Sequence, residues 1–249
     1  PFTFGFALVS NNISVISPNA VVAIGDRIFW MDRENFYTYT GRAEVIPCTV
    51  LRYIFDDINL AQSRKFFAGS NRMFNEIFFF YVSSDATEID RYAKFNYTEN
   101  TWDIGTLSRT AWVDFGIHDN PRGAGSASSV EYIYNHENTE NDDGSAMESF
   151  IESADFDIGD GNEFLFVSKL IPDVVVTGTD AEVGYVIKTR SFPGDSLVTE
   201  ASATITATTQ QSDIRCRGRS ATLRVSSAKT DTSWTLGDTR LSVRPDGRR

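Results

Sequence analysis

The most chemically suggestive spacing in the chain lies near its end. Arg215, Arg217 and Arg219 occupy alternate positions. A strand turns alternate residues to one face, so the spacing predicts one cationic row, with Ile214 and Cys216 pointing the opposite way. After Gly218 the apolar phase flips: Leu223 and Val225 take the odd positions, which predicts a bulge or bend at the glycine. In the last strand Leu241 and Val243 are expected to face the core, with Arg240 and Arg244 on the other side. Guanidinium groups bind carboxylates and phosphates in bidentate fashion. The row therefore suits either phosphate or the carboxylates of an acidic protein surface, in the same subunit or a neighbouring one.

Charge favours the second partner. The chain of 249 residues carries a formal net charge of −11. From Gln211 to Arg249 there are nine Lys/Arg and four Asp/Glu, a net of +5, and the remainder carries −16. A body of that sign repels phosphate and argues against broad nucleic-acid binding. Arg215, Arg217, Arg219, Arg240 and Arg244 are accordingly expected to form a protein interface.

Catalytic constellations are not evident. His118 and His136 are the only histidines, and each reads as a loop or turn residue. No nucleophile elbow, paired metal-binding histidines, P-loop or full dinucleotide fingerprint occurs. Nothing singles out a glycosidase pair among the 34 acids. The stretch Asp155-Phe156-Asp157-Ile158-Gly159-Asp160-Gly161 has a calcium-loop look, but its fifth position is Gly159 and its twelfth is Phe166, so a Gly-Asp-Gly turn is expected instead. Cys48 and Cys216 read as free, buried thiols suited to a reducing cytoplasm. The sequence thus reads as a non-enzyme without metal or cofactor. Its longest apolar run, Ile77 to Val82, is far too short to span a bilayer. The chain begins Pro1-Phe2 with no Met, which predicts an upstream part missing or removed.

The elements that must position these residues are nearly all strands. Arg27–Met31 and Phe36–Thr40 are expected strands around the polar turn Asp32-Arg33-Glu34-Asn35. Asp56 or Asp57 is expected to cap a short helix over 56–65, inserted between strand groups. Glu76 to Ser83 reads as a strand buried on both faces, followed by strands over Asp90 to Tyr97, from Trp102, and over Val130 to Tyr134. The aromatics of Phe29 to Tyr39 and Phe78 to Tyr81 are of a kind that stacks on sugars or bases, though packing within a core accounts for them better. An aromatic strand beside a Glu-Asn turn occurs at Glu34-Asn35, Glu99-Asn100 and Glu137-Asn138, separated by 65 and 38 residues. A recurrence near 40 residues is the signature of propeller blades, and three blades do not close a ring. Asn138 to Ser145 reads as an exposed acidic loop. Beyond it, Val183, Tyr185 and Ile187, then Ala201, Ala203 and Ile205, alternate with polar residues as in a half-exposed antiparallel sandwich. The expected fold is all-β: residues 1–145 form propeller-like antiparallel blades, incomplete in this chain, and residues 146–249 a C-terminal sandwich-like domain.

An ordered set of motifs resembles the tail proteins of bacteriophages. It comprises Gly25-Asp26 leading into Phe29-Trp30-Met31, Phe55-Asp56-Asp57-Ile58-Asn59, and Phe67-Ala68-Gly69-Ser70-Asn71 before Asn75-Glu76. It continues with Ile151-Glu152-Ser153 to Gly159-Asp160-Gly161, Ile171-Pro172-Asp173, Arg215-x-Arg217-Gly218-Arg219, Leu223-Arg224-Val225, Trp234-x-Leu236-Gly237 and Arg240 to Arg249. The resemblance implies a virion structural protein of a tail tube, in particular the nozzle or hub of a short-tailed phage. It implies a ring-shaped homo-oligomer, a hexamer in such nozzles, touching adaptor and fibre proteins and passing phage DNA during ejection. Its place would be the virion tail, assembled in the bacterial cytoplasm. The other classes compatible with the sequence are a tail-tip receptor- or glycan-binding propeller and, less well, a polysaccharide hydrolase.

Overall fold

The computed structural model describes Gly5, residues 8–127 and residues 130–248. The fold is all-β, built from several antiparallel sheets with little helix. Contacts divide the chain into two compact units, Pro1–Asn138 and Thr139–Arg249.

The first unit is a series of antiparallel meanders. Strands β1 (Val21–Ile24), β2 (Arg27–Met31), β3 (Phe36–Tyr39) and β4 (Ala43–Ile46) pair in chain order. Helix α1 (Leu51–Asp57) and a 3-10 helix, Leu60–Lys65, follow. Strands β5 (Phe67–Asn71), β6 (Glu76–Tyr81), β7 (Arg91–Asn96) and β8 (Thr101–Thr106) form a second four-stranded meander. Strands β9 (Ala111–Val113), β10 (Arg122–Ala127) and β11 (Val130–Asn135) form a three-stranded one.

Two expectations shift here. The helical stretch is displaced and split: Asp56 and Asp57 lie in the last turn of α1 rather than capping its start, and Asn59 caps the 3-10 segment, its side chain accepting from the Ala61 N–H at 3.2 Å. An Asn side chain turned back on the backbone two residues ahead favours a turn over continued α-helix. The Glu-Asn turns are also not equivalent. Glu34-Asn35 joins the second and third strands of its meander, whereas Glu99-Asn100 and Glu137-Asn138 follow the third. The repeat lies in the first strands, which begin at Val21, Phe67 and Ala111, so a meander recurs every 44 to 46 residues.

Aromatic rings explain why β6 reads as an unbroken apolar run. Ile77 to Tyr81 are all buried. Phe79 meets Phe36 of the first meander at 4.9 Å between ring centroids, and Phe36 meets Trp102 of β8 at 4.6 Å. Phe78 and Phe80, on the other face, meet Trp112 of β9 at 5.3 and 5.8 Å. The central strand is covered on both sides because meanders flank it, so alternation disappears from its sequence. Burying an aromatic ring contributes on the order of 2–3 kcal/mol, and the rings of this cluster make it the principal core of the unit.

The second unit opens with the hairpin β12 (Asn141–Asp142) and β13 (Ser145–Ala146). After β14 (Ser149–Glu152), β15 (Phe156–Asp157), β16 (Leu165–Ile171), β17 (Val174–Thr177), β18 (Val183–Arg190) and β19 (Val198–Ile205) come β20 (Ser212–Gly218), β21 (Ser220–Ser227), β22 (Ser233–Leu236) and β23 (Arg240–Pro245). One sheet runs β14-β21-β18-β19, with β15 also on β21; another runs β20-β16-β23; β17 pairs with β22. Leu165 and Val167 of β16, Ile214 and Cys216 of β20, and Val183, Tyr185, Ile187 and Val225 of the other sheet share one buried cluster. The two sheets therefore close over a common core as a sandwich.

Gly218 is where the chain passes between them. The expected bulge is not there; the register shifts fall at Val167/Lys169 in β16 and Ile187/Lys188 in β18. β20 ends at Gly218 in one sheet, and β21 begins at Ser220 in the other. The phase flip arises because the inward direction reverses when a strand crosses a sandwich. A Cβ on Gly218 would lie 2.5 Å from the Thr189 Cβ, so the crossing depends on a residue without a side chain.

Candidate functional site: an arginine-bearing sheet face

The solvent face of the β20-β16-β23 sheet gathers most of the predicted arginines. Along β20, Arg215 and Arg217 are exposed while Ile214, Cys216 and Gly218 are buried. Residues directly opposite each other on paired strands project to the same side. Phe166 of the central strand is opposite Arg217 on one flank and Arg244 on the other. The face thus carries a cross-strand row Arg217–Phe166–Arg244, with the Arg244 guanidinium 4.8 Å from the Phe166 ring centroid. Ile171 is opposite Arg240, which extends the same face toward the far end of β23.

Arg219 does not belong to it. Beyond the sheet crossing, its guanidinium turns to the loops that flank β20. Nη1 donates to the carbonyls of Gly161 at 2.8 Å and Asn162 at 3.2 Å, and Nε donates to that of Ser191 at 3.0 Å. The ring of Phe164 lies 4.7 Å from this guanidinium and 4.0 Å from that of Arg217. Arg217 itself is tied to Asp246 at 2.6 Å. The expected row of three is therefore one internal clip, one arginine shared with Asp246, and one exposed arginine. Among the described residues, Arg215, Arg240 and Arg244 form no ion pair.

The loop with the calcium look owes its shape to the same clip. Gly159, Asp160 and Gly161 all have positive φ, and Asp155 is ion-paired with Arg190. Its cation is the Arg219 guanidinium, seated on the Gly161 and Asn162 carbonyls. Among the described residues no group of three or more His, Cys, Asp and Glu is disposed to hold a metal ion.

Both cysteines are free, Cys216 buried and Cys48 half-buried. Burial pushes the Cys48 thiol up to about 11 and raises that of Cys216 as well. His118 sits 3.4 Å from the Arg122 guanidinium. His136 packs at a tilt against Trp112, 4.6 Å between ring centroids, and accepts a hydrogen bond from Arg109 Nε at 3.0 Å. Desolvation, then the Arg109 charge, lower its pKa to about 4, so it is neutral near pH 7. The Arg109 guanidinium lies 3.9 Å over the Tyr134 ring. Sequence spacing offered no signal for this group, whose members come together only through the β9-β10-β11 pairing.

The aromatics capable of stacking on a sugar or base are packed inside. Phe29, Phe36 and Phe78 to Tyr81 are buried, and Trp30 stacks on Tyr37 at 5.5 Å with both rings nearly covered. No helix of the described residues is long and apolar enough to cross a membrane.

One acidic element escaped the sequence reading. Asn138 to Ser145, expected as a loop, contains the hairpin β12–β13, with Asp143 and Gly144 both at positive φ in its turn. Positive φ at both central residues defines a type I′ turn, and Asp-Gly is a strong signal for it. The hairpin is anchored at its base: Asn141 Nδ2 donates to Asp231 Oδ1 at 2.6 Å, and the Asp231 N–H donates to Asn141 Oδ1 at 2.7 Å. Compared with models of known protein families and with curated protein sequences, the chain matches none.

Proposed function

We propose that this chain is a structural protein of a bacteriophage virion, a component of the tail tube or nozzle that conducts DNA during ejection. The observation that carries this reading is the distribution of charge over an all-β scaffold. The body is acidic, with a net −16 up to Gln210, and Arg215, Arg240 and Arg244 stand exposed on one sheet face and form no ion pair among the described residues. Acidic walls let phosphate pass without holding it, and a basic face is what a neighbouring acidic protein surface docks on. The ordered set of motifs that resembles tail proteins is in keeping with this reading. In this reading the protein works by assembly rather than turnover: copies of the chain form a ring, with adaptor and fibre proteins as neighbours and DNA as a transient passenger.

Immunogold imaging of phage particles from cells expressing this chain tests the reading. Label on the tail axis at a fixed distance from the head is the expected result. Particles that carry no label, or carry it on the head shell, would rule the assignment out.

A further inference from the structure

We propose that the acidic hairpin β12–β13 of one copy docks on the arginine face of the next, joining copies head to tail. This rests on the reading that the chain assembles with copies of itself and names the surfaces that do so.

From Thr139 to Glu163 the chain has nine Asp/Glu and no Lys/Arg. Four of these acids are engaged internally: Glu148 and Glu152 with Arg224, Asp155 with Arg190, and Glu163 with Arg248. Glu140, Asp142 and Asp143, in and beside the hairpin, are exposed and form no ion pair among the described residues. The type I′ turn and the Asn141–Asp231 clamp hold these carboxylates in a fixed presentation, so little ordering entropy remains to be lost on docking.

The complementary surface lies elsewhere on the same unit. The hairpin leads into β14, the edge strand of one sheet, whereas Arg215, Arg240 and Arg244 stand on the outer face of the other. Among the described residues no ion pair joins the two charge sets within one copy. Two different patches that complement each other give a heterologous contact, which propagates from copy to copy and closes into a ring when the rotation permits. Apolar surface adds to the match: Met147 is exposed just after the hairpin, and Ile171 is exposed opposite Arg240. Duplex DNA is the other polyanion whose charge suits such a face; the net charge of −16 on the rest of the chain weighs against it.

The test uses the whole chain and two charge-reversed variants. The first carries Glu140→Arg and Asp142→Arg, which leave the Asp143-Gly144 turn intact. The second carries Arg215→Glu and Arg244→Glu. All four side chains are exposed, so thermal melting of both variants should match the parent. Sedimentation velocity and mass photometry at low salt should show the parent assembled and each variant at least tenfold weaker in association. An equimolar mixture of the two variants should recover assembly, because every hairpin then meets a face of opposite sign. Assembly of either variant like the parent, or failure of the mixture to recover, overturns the head-to-tail contact while leaving self-assembly intact. A parent that stays monomeric at all concentrations overturns the contact and removes self-assembly from the functional reading with it. In parallel, a mobility shift of duplex DNA by the parent that is lost with Arg215→Glu and Arg244→Glu would overturn the proposal in favour of nucleic acid.

Discussion

Arg219 and Arg215 have the same residue type and the same strand parity, yet replacing them should have very different consequences. Arg219 makes three hydrogen bonds of 2.8 to 3.2 Å to loop carbonyls and lies over the Phe164 ring. The carbonyls are near solvent, and water replaces the lost donors in part, so each hydrogen bond contributes about 0.5–1 kcal/mol rather than the full value for a charged donor. The ring contact adds about 0.5–1 kcal/mol. Arg219→Ala should therefore destabilise the second unit by about 2–4 kcal/mol. Arg215→Ala, with no such partners, should stay within about 0.5 kcal/mol.

Hydrogen exchange measured by mass spectrometry resolves the difference locally. The Asn162 N–H donates to Gly159, the Phe164 N–H to Gly247 and the Asp246 N–H to Phe164, all in the segments that Arg219 ties down. Loss of about 2 kcal/mol corresponds to roughly thirtyfold faster exchange at these amides. Arg219→Lys should recover little, because an ammonium cannot reproduce a planar fork reaching two loops. Equal effects of Arg219→Ala and Arg215→Ala would refute the assignment of Arg219 to the fold.

Three further outcomes follow from the packing. Gly69→Ala places a Cβ 2.6 Å from Trp112 Cδ1, between the second and third meanders, and should cost about 1–3 kcal/mol in a denaturant melt; an unchanged midpoint would contradict the close approach. His136 has its folded pKa lowered to about 4 from 6.5, so the unfolded chain binds the proton more tightly. Its contribution is complete above pH 6.5 and is lost as pH falls toward 4, amounting to no more than about 3 kcal/mol. Urea midpoints at pH 7 and pH 4.5 should converge more closely in His136→Gln than in the parent, and identical pH slopes would count against the buried neutral imidazole. Both thiols are free, covered to different degrees and raised in pKa. A thiol reagent at pH 8 should therefore react slowly with the native protein and release two equivalents on denaturation, whereas immediate reaction of both would refute the burial.

What the sequence made legible was local. The alternation at Val183, Tyr185 and Ile187 and at Ile214 and Cys216 placed side chains correctly because a strand's period of two is fixed by the backbone. The unbroken run in β6 showed that both its faces are covered, although not by which rings. The phase flip at Gly218 was visible, but a bulge and a sheet crossing leave the same trace in a sequence, and only strand pairing separates them. That ambiguity put Arg219 in the wrong place. Pairing over long separations was equally hidden: Phe166 lies between Arg217 and Arg244, 51 and 78 residues away, and no spacing rule reaches that far. The hairpin at Asn141–Ala146 was missed although Asp143-Gly144 is a recognised turn signal, because its strands are two residues long and without apolar alternation.

The excess of arginine near the C-terminus separates into two populations once the register is known. Arg217, Arg219 and Arg224 each lie over an aromatic ring, Phe164 for the first two and Phe150 for the third, and each also binds oxygen atoms of its own unit. Among the described residues Arg215, Arg240 and Arg244 form no ion pair, and they stand on one face. The fold draws little from the second set: the Arg244 guanidinium over Phe166 contributes about 0.5–1 kcal/mol, and the repulsion among like charges on one sheet face works against it. Such an arrangement is stabilising only when an anionic surface covers it. Neutralising the face by Arg215→Gln, Arg240→Gln and Arg244→Gln should therefore change stability by no more than about 1 kcal/mol, the loss of the Phe166 contact offset by relieved repulsion, while weakening self-association. A lowered melting temperature in the isolated chain would show instead that these arginines serve the fold, and would withdraw the distinction between the two sets.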